Sequence, residues 1–315
     1  MSEPAKSKGL KGWSVEHGVM IRRGGHFLRS SWLSGPGIAW LTLFLLGPLA
    51  VIIWMSFMTK TPDGAIVAKV TIDNYARIGG KGPFGYDPSQ FELIMRSLFV
   101  GFITTSTCLL GALPVAFFIT ALPKRLKSLA LLLIVIPLWS NLLFRTYGWQ
   151  LLLGDDSWFH RLLEVIGILD VTEHIYPSWK AMLLGMICTY LPFMIVPVYL
   201  SVEKIDWLQA QVARDLGASQ IDAFKETILP QVQPGLIAGM VFVFLPAVGQ
   251  FVVPDLLGGD RTYLLGNALE QEFAVTGDWP LGAAYCVVAL CIVAVGLIIQ
   301  TFFTRNRRER EPIVL

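Results

Sequence analysis

Charged side chains are absent from six stretches of the 315-residue chain: 30–59, 97–123, 128–144, 181–202, 227–254 and 279–304. A hydrocarbon core about 30 Å thick needs about 20 apolar residues in a helix that rises 1.5 Å per residue. Five of the stretches exceed that length comfortably. The third reaches it when Leu126 joins its start and Phe144 to Tyr147 complete its end, with Arg145 snorkelling to the interface. The pattern predicts an all-α polytopic membrane protein with six transmembrane helices, near 37–58, 97–121, 126–146, 181–202, 235–255 and 281–303. Prolines punctuate every span but the last: Pro48, Pro114, Pro137, Pro192, Pro197, Pro246 and Pro254. Each removes a backbone donor, so kinks are expected, of the sort tolerated where freed groups meet other helices or line a water-filled cavity.

The polar connections have patterns of their own. Segments 59–92, 147–180 and 256–280 carry turn residues such as Pro62-Asp63-Gly64 and Gly258-Gly259-Asp260, which predict ordered loops with short helices. Trp158, Phe159, Leu162, Leu163, Ile166 and Leu169 recur at helical spacing and predict a short amphipathic helix lying at the interface. In the segment 203–233, Ile205, Leu208, Val212 and Leu216 form a stripe that Gly217 interrupts; Ile221, Phe224 and Ile228 resume it, and Pro230 should stop it. The periodicity predicts helix, glycine turn, helix. Such a stripe could pack on the inner ends of its own spans or dock into a groove on a soluble partner; periodicity alone favours packing.

Composition agrees with lipid as the solvent: 54% of residues are hydrophobic and 15% charged, against about 25% charged in soluble domains. Lys and Arg are distributed unevenly. Sixteen fall in the N-terminal tail, the second-to-third loop (Lys124, Arg125, Lys127), the fourth-to-fifth loop (Lys204, Arg214, Lys225) and the C-terminal tail, against nine elsewhere. The positive-inside bias then puts both termini in the cytoplasm. This gives a basic tail over 1–34, a transmembrane domain over 35–304 and a second tail over 305–315; residues 1–30 read as flexible. The first apolar segment follows a long polar tail without a small-residue cleavage site, so its helix is expected to be retained. Cys108, Cys188, Cys286 and Cys291 all fall in apolar stretches and read as small buried hydrophobes.

The string Gln211-Val212-Ala213-Arg214-Asp215-Leu216-Gly217-Ala218, followed by Ile228-Leu229-Pro230 and Pro234-Gly235, resembles the cytoplasmic signature of binding-protein-dependent ABC importer permeases. That signature begins Glu-Ala-Ala, reaches Gly four residues after the second Ala, and ends Leu-Pro. Ala213, Gly217, Leu229 and Pro230 match, while Gln211 and Val212 depart from Glu and Ala. Ile136-Pro137-Leu138-Trp139-Ser140-Asn141, Arg145-Thr146-Tyr147, Leu191-Pro192-Phe193-Met194, Phe244-Leu245-Pro246-Ala247-Val248-Gly249, Phe251-Val252-Val253-Pro254-Asp255-Leu256-Leu257-Gly258-Gly259 and Asp278-Trp279-Pro280 are similar to the permeases of spermidine/putrescine importers. The similarity runs from about 35 to 303.

The resemblance implies a type I ABC importer permease fold in a bacterial inner membrane. Gln211, Ala213, Asp215, Gly217, Ala218, Leu229 and Pro230 would belong to the coupling helix that meets the ATPase. Implied partners are a second homologous permease, two copies of an ABC ATPase, an external substrate-binding protein and the lipid bilayer, with no nucleic acid; ATP and Mg would sit on the ATPase and no cofactor on this chain. The mechanism implied is alternating access, with a small organic cation such as putrescine or spermidine as the solute.

Residues in or beside the spans refine that expectation. Trp139, Asn141, Arg145, Tyr147, Tyr190, Gln250 and Asp255 are candidates for the solute pathway. Aromatic faces can hold cations, although Trp and Tyr at span ends also form interfacial belts. Gln250 and Asp255 are the strongly polar groups near the outer end of the fifth span, and Asp255 could equally cap the loop that begins at Leu256.

Other function classes fit less well. Ion-coupled transport needs ionisable groups near the midplane, and the six cores have no acid, base or histidine; a channel stays open as an alternative. His17, His26, His160 and His174 lack metal-ligand spacing, and Gly79-Gly80-Lys81-Gly82 is not a phosphate-binding loop, so the chain reads as a transport subunit rather than an enzyme.

Overall fold

The computed structural model describes residues 20–82, 85–166, 174–259 and 262–308. The chain divides into two compact units, Met1–Trp54 and Met55–Leu315.

The first unit is dominated by helix α1 (Met20–Ser56), whose stretch Gly35–Ser56 is apolar enough to span a membrane. The helix starts at Met20, well before the expected 37 and inside the segment read as flexible tail; residues 1–19 lie outside the described residues. Hydropathy marks where lipid begins, not where helical hydrogen bonding begins, and Arg is compatible with both.

The second unit opens with an ordered connection. Strand β1 (Thr59–Lys60) pairs antiparallel with β2 (Ile66–Val67) in the register Thr59↔Val67. Gly64, at φ 84°, lies between them, where only glycine turns without penalty. Helix α2 (Asp73–Ile78) and a second ribbon, β3 (Lys81–Gly82) with β4 (Gly85–Tyr86), follow. These ribbons are a departure from the wholly helical expectation. They are too short to carry an apolar alternation, so no period-2 pattern announced them.

The core of this unit is three long helices: α3 (Ser89–Ala121), α7 (Trp179–Val202) and α10 (Leu229–Val248). Val100, Cys108, Ala112 and Ile119 of α3, Met186, Met194 and Val198 of α7, and Val232 and Val243 of α10 are buried together. Lipid gives these helices no hydrophobic drive toward each other, so close approach through small residues matters. At Gly239 a Cβ would lie 2.6 Å from Met194 Sδ, and at Gly235 it would overlap Ser201 and the Pro197 carbonyl. Large apolar side chains such as Leu110, Phe118, Leu133, Phe242 and Ile298 point outward, a liability in water and an ordinary surface in a bilayer.

The third expected span is broken. Helix α4 (Lys124–Trp139) and helix α5 (Leu142–Leu153) meet at 97° across Ser140 and Asn141. The described residues hold five helices long and apolar enough to span, or six if this bent pair counts as one. Pro137 lies one turn before the break, and Asn141 restarts the helix by accepting a hydrogen bond from Leu143 N at 2.8 Å. Helix α6 (Trp158–Val165) follows and is shorter than the expected amphipathic helix; Leu169 lies outside the described residues.

Beyond α7 come α8 (Trp207–Asp215) and α9 (Gln220–Ala223), then a π turn over Phe224–Ile228 that runs straight into α10. Pro230 therefore does not stop the helix. It occupies the first turn of α10, and the wider hydrogen-bond spacing just before it makes room for a residue without an N–H. Helix α10 ends at Val248, not at 255; a break at Gly249–Phe251 and a π turn at Pro254–Gly258 follow. Helix α11 (Leu265–Glu270), a third π turn (Gln271–Val275) and α12 (Trp279–Arg308) complete the described chain. Salt bridge Arg77–Asp278 at 3.2 Å and a hydrogen bond from Lys60 Nζ to Thr276 O at 2.7 Å tie the first connection to the start of α12.

Candidate coupling and pathway sites

The hairpin between α7 and α10 is built by local rules. Asp206 caps α8 by accepting from Leu208 N at 3.1 Å. At the other end, Gly217 N donates to Arg214 O at 2.9 Å and Ala218 N to Ala213 O at 3.0 Å. That pair of bonds closes a Schellman motif, whose turn residue takes a left-handed conformation; Gly217 has φ 94°. The four-residue interval from Ala213 to Gly217 is thus the interval from the last helical carbonyls to the residue that must be glycine. Ser219 restarts the helix, accepting from Asp222 N at 3.2 Å while donating to its carboxylate at 2.6 Å.

Gln211, Asp215, Gly217 and Ala218 line a depression of about 510 Å³ at the hairpin tip, together with Arg214 and Gln220, which sequence reasoning missed. Leu229 and Pro230 stand at the hairpin base instead, at the start of α10. The packing reading of the apolar stripe is corrected: Leu208, Val212, Leu216 and Ile221 are exposed, Leu216 at 84%, and only Ile205 and Ile228 of that stripe are buried. Small residues, Ala210 and Ala223, take the inward positions because they let the hairpin lie close to the bundle.

Beside the hairpin, Lys127 Nζ donates to Glu203 Oε1 at 3.1 Å, joining the start of α4 to the end of α7. The Glu203 carboxyl is held below its ordinary value, first by a hydrogen bond with Tyr199 and then by that with Lys127.

The pathway candidates fall into two groups. Tyr190 and Gln250 form a buried pair: the Tyr190 hydroxyl donates to Pro246 O and accepts from Gln250 Nε2, both at 3.1 Å. Gln250 Oε1 accepts from Phe251 N at 3.0 Å and Val252 N at 3.3 Å, so this side chain also caps the turn after α10. Asn267 Nδ2 donates to Phe251 O at 3.1 Å from the packed-in α11, a second stabiliser of the break that sequence reasoning missed. Gly266 permits that packing; a Cβ there would lie 2.5 Å from Gly249 O.

The other group surrounds the broken span. Trp139 is 87% exposed at the end of α4, and Asn141 and Tyr147 are exposed on the α5 side. Helix α5 packs against the turn Pro254–Gly258, which carries the exposed Asp255. Arg145 reaches Ser140 O at 3.5 Å with Nη2, while its Nε and Nη1 are buried without a hydrogen-bond partner. Cys108 is buried, Cys188 and Cys286 are half-buried and Cys291 is exposed, so the expectation that all four are interior holds only for the first.

Residues 111–309 match the family of binding-protein-dependent transport system inner membrane components. The chain belongs to that family. This family member is 36% identical over 278 residues to the spermidine/putrescine transport system permease protein PotB of Escherichia coli (strain K12), a match that covers 88% of this chain and 98% of that one. It is 35% identical over 277 residues to PotB of Haemophilus influenzae, covering 88% and 94%. In fold it is similar to a bacterial ABC transporter involved in the import of the acidic polysaccharide alginate, with TM-score 0.70 at 15% identity, covering 90% of this chain and 99% of that chain. The ABC importer permease is thus a multi-pass inner-membrane transport subunit.

Proposed function

We propose that this permease forms one half of the solute pathway of an importer for small organic polycations of the putrescine and spermidine class. The observation that carries the solute class is the identity of 36% sustained over nearly the whole length of a spermidine/putrescine permease. The exposed Trp139 and Tyr147 and the carboxylate of Asp255, on adjoining elements, supply the aromatic faces and negative charge that a polyamine needs. A second homologous permease supplies the other half of the pathway, and an external binding protein delivers the solute. Two ABC ATPases, holding ATP and Mg, drive alternating access by moving the hairpin, whose exposed Leu208, Val212, Leu216 and Ile221 form the docking face. Both termini lie in the cytoplasm, on the side that carries 16 of the 25 Lys and Arg residues.

A second solute class has one observation in its favour. The two unpartnered nitrogens of the Arg145 guanidinium place a cation beside the candidate pathway, which suits an anionic or zwitterionic solute. Uptake of labelled putrescine and spermidine by the assembled transporter decides between them. Polyamine uptake is expected, with the half-saturating concentration raised about tenfold by Asp255→Asn, the weight of one hydrogen bond to a charged group. Uptake of anions and never of either polyamine overturns the reading.

A further inference from the structure

The hairpin transmits motion only if its base is fixed to the spans, and one side chain spans that base. Gln231, in the first turn of α10, accepts from Asp206 N at 2.9 Å through Oε1. Its Nε2 donates to Thr227 O at 2.9 Å, inside the π turn, and to Gln209 Oε1 at 3.3 Å, on α8. Gln209 Nε2 in turn donates to Asp206 Oδ2 at 3.3 Å. The amide is therefore satisfied at both ends, and the backbone N–H it accepts from is one that the start of α8 would otherwise leave without a helical partner. Phe117 of α3 also meets both limbs of the hairpin, edge-on to the Trp207 ring at 6.4 Å and tilted against the Phe224 ring at 6.3 Å.

We propose that Gln231 is a positioning residue for energy coupling: it clamps the first limb of the hairpin to the fifth span, so that displacement of the tip at Gly217 is delivered to α10 instead of being absorbed at the base. This deepens the importer reading and rests on it for its consequence, though not for its geometry. Two of the three bonds tie segments 25 and 22 residues apart in sequence, while the third, to Thr227 O four residues back, fixes the orientation of the amide. A glutamine suits the position because it alone among the common polar side chains of that length offers one acceptor and two donors without charge.

The test separates clamp from consequence. In the isolated permease, Gln231→Ala should speed hydrogen exchange at Asp206 and along 207–215 about fivefold, the weight of one net hydrogen bond, while protection in α3 and α7 stays unchanged. Gln231→Glu keeps an acceptor but sets a carboxylate oxygen against Thr227 O and Gln209 Oε1, so it should leave exchange along 207–215 as fast as in Gln231→Ala. In the assembled transporter, Gln231→Ala should lower solute imported per ATP hydrolysed at least about fivefold, with assembly and ATP hydrolysis retained. Unchanged exchange in Gln231→Ala overturns the clamp, and faster exchange with an unchanged ratio overturns the coupling role. Failure of the unsubstituted assembly to import any solute counts against the importer reading and not against the clamp, which the exchange measurement decides alone.

Discussion

Gly217 and Glu203 show how single residues act here. Gly217 sits at φ 94° with open space around its Cα, so a substitution meets backbone strain and no clash within the chain. Gly217→Val is expected to destabilise the turn by about 1–2 kcal/mol, leaving membrane insertion intact and abolishing uptake by the assembled transporter; equal expression with undiminished uptake would remove the turn from the coupling machinery. Glu203 is a pH-dependent contact. Because its folded-state value is depressed, its contribution is complete above the ordinary value of 4.5 and is lost as pH falls through the folded value. Glu203→Gln should lower the thermal midpoint slightly at neutral pH, as befits a partly exposed pair, and flatten its fall at acid pH. A midpoint profile unchanged from pH 7 to pH 3 would assign the ion pair no role in stability.

Among the elements, the bent pair α4–α5 carries the most information. Two pathway candidates also hold its 97° turn, Asn141 as a cap and Arg145 against Ser140 O, beside Ser140 Oγ bonded to Pro137 O at 2.7 Å. Asn141→Ala should cost about 1 kcal/mol, and Asn141→Asp, which keeps the cap, far less. A thermal melt of the two variants checks this; equal losses in both would mean that the amide, and not the cap, matters. The fifth span makes the converse point. Its proline at 230 suggests a stop, yet the helical run Gln220–Val248 passes through it, because Pro230 sits in the first turn of α10 just after the π turn.

At the scale of the molecule, a three-helix core of α3, α7 and α10 positions the hairpin at one end and the break at Gly249–Phe251 at the other. Helix α10 runs from the hairpin base to Val248, and the Tyr190 hydroxyl bonds its last turn at Pro246 O as well as Gln250 just beyond it. Orientation in the membrane is the remaining whole-molecule property. A reporter active only outside the cytoplasm should be silent when fused after Leu315 and active when inserted between residues 147 and 180; activity at Leu315 would reverse the assignment.

The apolar stretches, the hairpin and its glycine turn were legible in the chain because each depends on local quantities: charge-free length, helical periodicity, and the conformation that only glycine enters freely. The family was legible for the same reason, since its signature residues serve those local roles. Three things were decided by tertiary structure. Whether Pro230 ends a helix depends on neighbouring hydrogen-bond spacing, whether Leu208 or Ala210 faces inward depends on how closely the bundle approaches, and which groups hold the Gln250 amide depends on where Tyr190 brings its hydroxyl. Each turns on contacts between residues far apart in sequence, for which a linear pattern of polar and apolar positions has no signal.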